Sequence, residues 1–368
     1  MRIGLQGMIS DKIVHNDDKK TCPPFNCYFC RMSALCFGLR CETHANERTN
    51  AVPALGKKWD NVSTKAGEMG LYIPEFSKPT GKYASKLLVK LLNVLLRKGS
   101  LVFIGNPCTP GMTILDEGFC NIGNDILQQT RHSSLVANFY GNPNPSGAVV
   151  FPAEPYMHID IAPAWKTATD YQDAMHSKYR VRIKKTYACS NHLTGKTVPG
   201  TLLGEEQKAL ISQLLTATLA NKTLALPPDL LGLIDGFCHV YGNQYQTTFY
   251  QDMEGNTIGF LSSVHKGNEC FAMHIGYKPE NAKAWHLYQR MMLDLIAREI
   301  EQGTQRIHLG RTATEIKSTL GATPLSNSMV IYSKKRVILW ILKVYKKWFF
   351  KEKEYIIRQP FRQAGRTL

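Results

Sequence analysis

The sequence predicts an α/β (or α+β) fold built on a mixed sheet with flanking helices, and three stretches carry that expectation. Residues 245–276 read as three strands in meander order, residues 281–302 as a long amphipathic helix, and residues 306–309 as a buried strand running into a short helix. A helix crossing from one strand to the next leaves the two strands parallel. The last meander strand and the strand at 306–309 should therefore lie side by side, with a ligand site where their carboxyl ends diverge.

Taken in order, residues 1–58 show little periodicity. Five of the ten cysteines, Cys22, Cys27, Cys30, Cys36 and Cys41, fall there, with His44 just beyond. Cys27 and Cys30 have the spacing of half a zinc site, but no second pair follows, and free thiols with no metal are the expectation. At residues 83–98, Leu87, Leu88, Leu91, Leu92, Leu95 and Leu96 recur at helical spacing between lysines, and residues 101–104 follow as a buried strand. Residues 121–129 read as a helix, and 148–151 and 156–161 as short strands. Asp170 is positioned to cap a helix running to about residue 188, whose face carries Lys178, Arg180, Arg182, Lys184 and Lys185. Such a run is a solvated face or an anion-binding one. Two more helices, 205–220 and 229–241, precede the meander.

In the long helix Trp285, Tyr288, Met292, Leu295, Ile296 and Ile300 share one face, and Gly303 ends it. The stretch from His308 to Gly321 then turns a strand into a helix. Thr312 followed by Glu315 has the spacing of a capping box, and Gly321 with Pro324 stops the helix. Arg311 is left over: a guanidinium at a strand mouth beside unpaired helix N–H groups suits an anion or a polarised carbonyl.

The chain has 368 residues, is 43% hydrophobic and 20% charged, and carries a net charge of +16, a globular balance large enough for two cores with a polyanionic partner implied. No apolar leader or membrane-length run is present, so a cytoplasmic location is expected. Residues 334–353 hold eight Lys or Arg against one acid, with apolar residues 337–342 and the aromatics Tyr345, Trp348, Phe349 and Phe350 between them. That is the composition of a helix lying peripherally on an anionic membrane surface, or of a terminal helix docked on the fold.

The meander, central helix, strand and short helix resemble the core of the GNAT-superfamily acyltransferases. The segment from Trp165 to Lys185, with Tyr171 and Ser177-Lys178-Tyr179-Arg180 at its centre, the stretch from His308 to Gly321, and the closing Arg358-Gln359-Pro360-Phe361-Arg362 are similar to a GNAT-like subgroup. That subgroup is related to Fem-type peptidoglycan aminoacyltransferases and described as peptidoglycan biosynthesis or recognition proteins. The resemblance implies two tandem GNAT-like units, the first degenerate. On that basis residues 1–58 are a Cys-rich segment, 59–164 the first unit, 165–333 the acyltransferase unit and 334–368 a basic amphipathic helix and tail. It also implies transfer of an acyl or aminoacyl group from a carrier to an amine acceptor, such as a lipid or cell-wall precursor. The Gly-rich turn that holds acetyl-CoA pyrophosphate in better-known relatives is replaced by Tyr277-Lys278-Pro279-Glu280-Asn281-Ala282. An acyl-CoA, an acyl carrier protein and an aminoacyl-tRNA all stay open as donors.

Acyl transfer to an amine needs a proton acceptor and donors for the oxyanion. His274, Arg311 and Glu315 are the catalytic candidates, His274 by its place near a strand end. Lys178, Tyr179, Arg180, Gly276, Tyr277, Lys278, Gly310, Thr312 and Lys317 are the candidates for holding the donor. The competing class is a binding protein that recognises a glycan or nucleotide-linked precursor without chemistry. The sequence leaves the oligomeric state open.

Overall fold

A computed structural model describes residues 59–64, 67–72, 101–104, 114–115, 117–219, 230–350, 352 and 354–362. The expected N-terminal cysteine cluster and the leucine-rich helix at 83–98 lie outside them.

Two seven-stranded mixed sheets organise these residues. The chain runs through β1 (Trp59–Thr64), β2 (Gly67–Tyr72), β3 (Leu101–Ile104), β4 (Ile114–Leu115), α1 (Ile122–Gln129), β5 (Ser134–Tyr140), β6 (Ala148–Pro152) and β7 (Tyr156–Asp160). It continues through α2 (Ala168–Asp173), α3 (Ser177–Cys189), β8 (Thr194–Pro199), α4 (Glu205–Leu219), α5 (Leu230–Tyr241), β9 (Tyr245–Gln251), β10 (Thr257–Lys266) and β11 (Glu269–Tyr277). The last elements are α6 (Pro279–Ala282), α7 (Leu287–Glu301), β12 (Arg306–Gly310), α8 (Thr314–Thr319), β13 (Thr323–Leu325), β14 (Asn327–Ser333) and α9 (Arg336–Trp348).

The first sheet has the order β1-β2-β3-β5-β14-β6, with β4 also on β5; the second has the order β13-β7-β12-β11-β10-β9-β8. Each takes a strand from the other's stretch of sequence. β7 joins the second sheet beside β12, and β14 returns to the first between β5 and β6. The two sheets are thus interlinked in sequence by exchanged strands, each held in place by main-chain hydrogen bonds.

The second sheet is covered on both faces. On one side, Met291, Met292, Leu295, Ile296 and Ile300 of α7 pack with Tyr171, Tyr179 and Ile183 of α2 and α3 over Ile307 and Leu309. On the other, Leu214, Leu215 and Phe237 of α4 and α5 meet Phe249, Phe260, Phe271 and Met273. A third core places Ile122 and Ile126 of α1 on Leu135, Phe139, Val330 and Tyr332 of the first sheet. The expected fold class, a mixed α/β architecture with flanking helices, is the one observed.

Three local readings need correction. The helix predicted to begin at Asp170 is two helices. Thr167 is the N-cap, Asp170 completes its capping box as the third residue, and the chain breaks before α3. The break is where the C-terminal segment adds on through an isolated bridge of Met175 with Phe361: His176 N–H donates to Pro360 O at 2.8 Å, and Arg362 N–H to Ala174 O at 3.0 Å. The helix predicted from 281 is a single turn, α6, followed by His286 in the left-handed region (φ 51°) and only then by α7. The capping box at Thr312 and Glu315 does not form. Thr312 (φ 66°) and Ala313 (φ 50°) are both left-handed, which delays the helix start to Thr314 and removes Thr312 from capping position.

Candidate functional site

The long helix does connect two parallel strands. β11 and β12 pair only at Glu269 with Arg306, Cys270 with Ile307 and Phe271 with His308, and beyond these the strands part. A bulge in β11 helps to turn it away. Between Leu261 and Ser263 of β10 there are two steps, whereas the matching residues Ile275 and Ala272 are three apart. Ser262 fills the bulge, its Oγ accepting the His274 N–H at 3.2 Å. The extra residue also switches faces: Ala272 packs toward α7, whereas the His274 ring lies edge-on to Phe237 of α5 at 5.7 Å.

His274 and Arg311 each lie three residues beyond the Phe271–His308 pair, on the two backbone segments that leave it, and each segment has a register shift after that pair. Their side chains engage different surroundings. The Arg311 guanidinium reaches Asn138 Oδ1 of β5 at 3.5 Å, in a long hydrogen bond to the first sheet. Burial pushes its pKa down, and the charges of Glu154 and Tyr156 oppose that. Asn138, Glu154 and Tyr156 carry no signal in the sequence, because Asn138 lies 173 positions from Arg311 and only the exchanged strands bring the two sheets together.

The loop from Gly310 to Ala313 is strained. Gly310 (φ 76°), Thr312 and Ala313 are left-handed, and two of the three have a Cβ. Lys317 clamps it: its side chain is almost fully buried, and its Nζ donates to Arg311 O at 2.6 Å and to Gly310 O at 3.3 Å. Burial lowers its pKa from 10.5 to about 7, against the raising influence of Glu154. Above pH 7 the unfolded chain therefore holds a proton that the folded chain has released, so stability should rise with pH up to about 10.5. The slope expected from this residue is about 1.4 kcal/mol per unit. Urea denaturation at pH 7 and pH 9 should show the gain in the native chain and its loss in Lys317→Met; parallel pH profiles would refute it.

The remaining candidates scatter. Glu315 pairs with Arg358 at 2.7 Å on an exposed surface. Tyr179 is buried in the core, Arg180 donates to Met175 O at 2.7 Å across the helix break, and Lys178 Nζ lies 5.0 Å from the Tyr179 ring centroid. A Cβ on Gly276 would meet the backbone of α4, so its small size serves helix-on-strand packing. At the replaced Gly-rich turn, Tyr277 N–H donates to Thr218 Oγ1 at 2.7 Å and Lys278 N–H to Ile258 O at 2.8 Å. Those two amides are therefore already engaged and do not form a phosphate cradle.

The patterns at 165–185, 308–321 and 358–362 converge. Tyr171 Oη donates to Leu320 O at 2.6 Å, Arg358 N–H to Ser318 Oγ at 3.0 Å, and the Phe361 ring stacks at a tilt on Trp165 at 4.9 Å. Among the described residues, one group has donors spaced for a metal: His265, Cys270 and Glu299, within 4.8 Å of one another. Glu299 Oε1 already accepts from Arg298 Nε at 3.1 Å, and a guanidinium there repels a cation.

No protein-family model matches the chain, and no curated protein matches its sequence. Solved structures similar to it include L-PGS from Bacillus licheniformis, at 10% identity and TM-score 0.45, covering 78% of this chain and 88% of that one. FemX matches at 8% identity and TM-score 0.44, over 78% and 91% of the two chains. A GCN5-related N-acetyltransferase from Sphaerobacter thermophilus matches at 9% identity and TM-score 0.39, over 84% and 92%. The structural neighbours thus include the GNAT-fold and Fem-type proteins that the sequence patterns resemble; at these identities and TM-scores they decide neither activity nor substrate.

Proposed function

We propose that the chain is a GNAT-like N-acyltransferase of two tandem units, moving an acyl or aminoacyl group from a carrier to an amine in the gap between β11 and β12. The observation that carries this reading is the parting of the two parallel strands after Phe271 and His308, with a bulge on one lip and a clamped cation on the other. A carbonyl lying in such a gap can be polarised by strand-end N–H groups with little reorganisation.

In this reading the acceptor's ammonium first gives one proton to His274, and the neutral amine then attacks the donor carbonyl. The tetrahedral centre collapses with cleavage of the bond to the carrier, and the second proton lost by the nitrogen is taken up by the departing thiolate or alkoxide. Arg311 holds an anionic group of donor or acceptor, and Lys317 positions Arg311 by fixing its carbonyl. The engaged amides of Tyr277 and Lys278 favour a donor held elsewhere than by a pyrophosphate cradle, so an acyl carrier protein or aminoacyl-tRNA ranks beside acyl-CoA.

The full chain should be incubated with acyl-CoA, acyl carrier protein and aminoacyl-tRNA donors against a panel of amines, with the products read by mass spectrometry. Arg311→Ala should lower kcat/KM about a hundredfold with the unfolding midpoint little changed. Tight binding of a nucleotide-linked precursor, with no transfer from any donor, would instead assign the gap to a binding protein.

A further inference from the structure

The C-terminal helix α9 carries a surface that the proposed transfer does not use. None of its residues is buried, and Val337, Trp340 and Trp348 are 68%, 65% and 70% exposed. Val337, Ile341 and Trp348, with the half-buried Val344 between them, recur at intervals of four, three and four residues, which makes one stripe along the helix with Trp340 at its edge. The other side is fastened to the first sheet: Ile338, Leu339 and Leu342 are half-buried, and the Phe151 ring of β6 lies 6.4 Å from Tyr345 and 5.3 Å from Phe350. The stripe therefore faces outward from a helix that is held in place.

Helical spacing puts Arg336, Lys343 and Lys347 along one flank of the stripe, and the helix contains no acidic residue. Lys347 Nζ sits over the Trp348 ring at 5.4 Å. We propose that this face docks on an anionic phospholipid bilayer, with α9 lying in the plane of the interface. Charge of a single sign beside an apolar stripe complements lipid phosphates above acyl chains. Tryptophan at the stripe and its edge suits the boundary between them. The helix lies on the surface and does not cross it, because no described helix is long and apolar enough to span a membrane. The inference stands independently of the transfer reading.

The test is co-flotation of the full chain with vesicles of phosphatidylcholine alone and of phosphatidylcholine with about one-third phosphatidylglycerol. The native chain should float with the anionic vesicles and be released by high salt. The double variant W340S/W348S should bind about tenfold more weakly with its circular dichroism and unfolding midpoint unchanged, since both side chains are exposed. K343E/K347E should abolish the preference for anionic over neutral vesicles. Equal flotation of native chain and tryptophan variant, or no flotation of the native chain, would overturn the proposal. A concentration-dependent dimer lost in W340S/W348S, without vesicle binding, would assign the face to a second copy and overturn it too.

Discussion

Glu299→Ala is expected to lower the stability of the chain by about 3 to 5 kcal/mol, because it removes the carboxylate at the centre of a buried charged network. Glu299 is fully buried, and its oxygens accept from Arg298 Nε at 3.1 Å and Thr304 Oγ1 at 2.7 Å, with His265 Nε2 at 3.3 Å. The Arg298 guanidinium spans two strands, donating to Thr248 Oγ1 at 3.0 Å and Ser263 Oγ at 2.8 Å. An acid in the last turn of α7 opposes the helix dipole, at a cost of a few tenths of a kcal/mol. Tertiary pairing outweighs that. Removing the carboxylate leaves a mostly buried guanidinium short of its counter-charge and Thr304 Oγ1 without its acceptor. Glu299→Gln, which keeps an acceptor without the charge, should lose less. Urea midpoints of the two variants decide the matter: a loss under 1 kcal/mol for Glu299→Ala would mean that apolar packing alone holds the helix end.

Gly276→Ala should cost about 3 kcal/mol. The added Cβ would lie 2.4 Å from Phe260 Cε1, 2.8 Å from Leu214 C and 2.8 Å from Leu215 N. A ring can rotate, but two of these atoms belong to the backbone of α4, so relief requires moving the helix away from the sheet. Glycine-to-alanine exchange at a relaxed position stabilises by about 0.4 to 1 kcal/mol through the unfolded chain, too little to offset such a clash. Measured stability equal to or above that of the native chain would show that α4 yields, and would return Gly276 to the ligand-contacting residues.

The order of strands and helix from β9 to β12 was legible in the sequence because these elements are governed by local patterning, whereas β8 and β13 of the same sheet were not read. Aromatic and β-branched runs separated by Asp252–Asn256 and Gly267–Asn268 turns specify the meander, and the spacing of Met292, Leu295, Ile296 and Ile300 specifies α7. The parallel pairing of β11 and β12 then follows from a crossover rule. The same local signals misled at the boundaries. Thr312 and Glu315 have the spacing of a capping box, yet a lysine five residues beyond Thr312 binds the carbonyls of Gly310 and Arg311 and holds the loop left-handed. Likewise Pro360 and Arg362, far along the chain, bond into the break that divides the helix expected from Asp170.

By itself, then, the sequence determined the meander, the long helix, the parallel neighbour strands and the charged apolar helix at the end, all of which depend on residues a few positions apart. Tertiary structure decided what surrounds Arg311, where the strands part, and that Lys317 is buried with its amine near neutrality. Those depend on Asn138, Glu154 and the exchanged strands β7 and β14, whose proximity comes from sheet pairing across more than a hundred positions. Burial and its electrostatic consequences arise only when such distant segments exclude water together, and no short-range pattern records that.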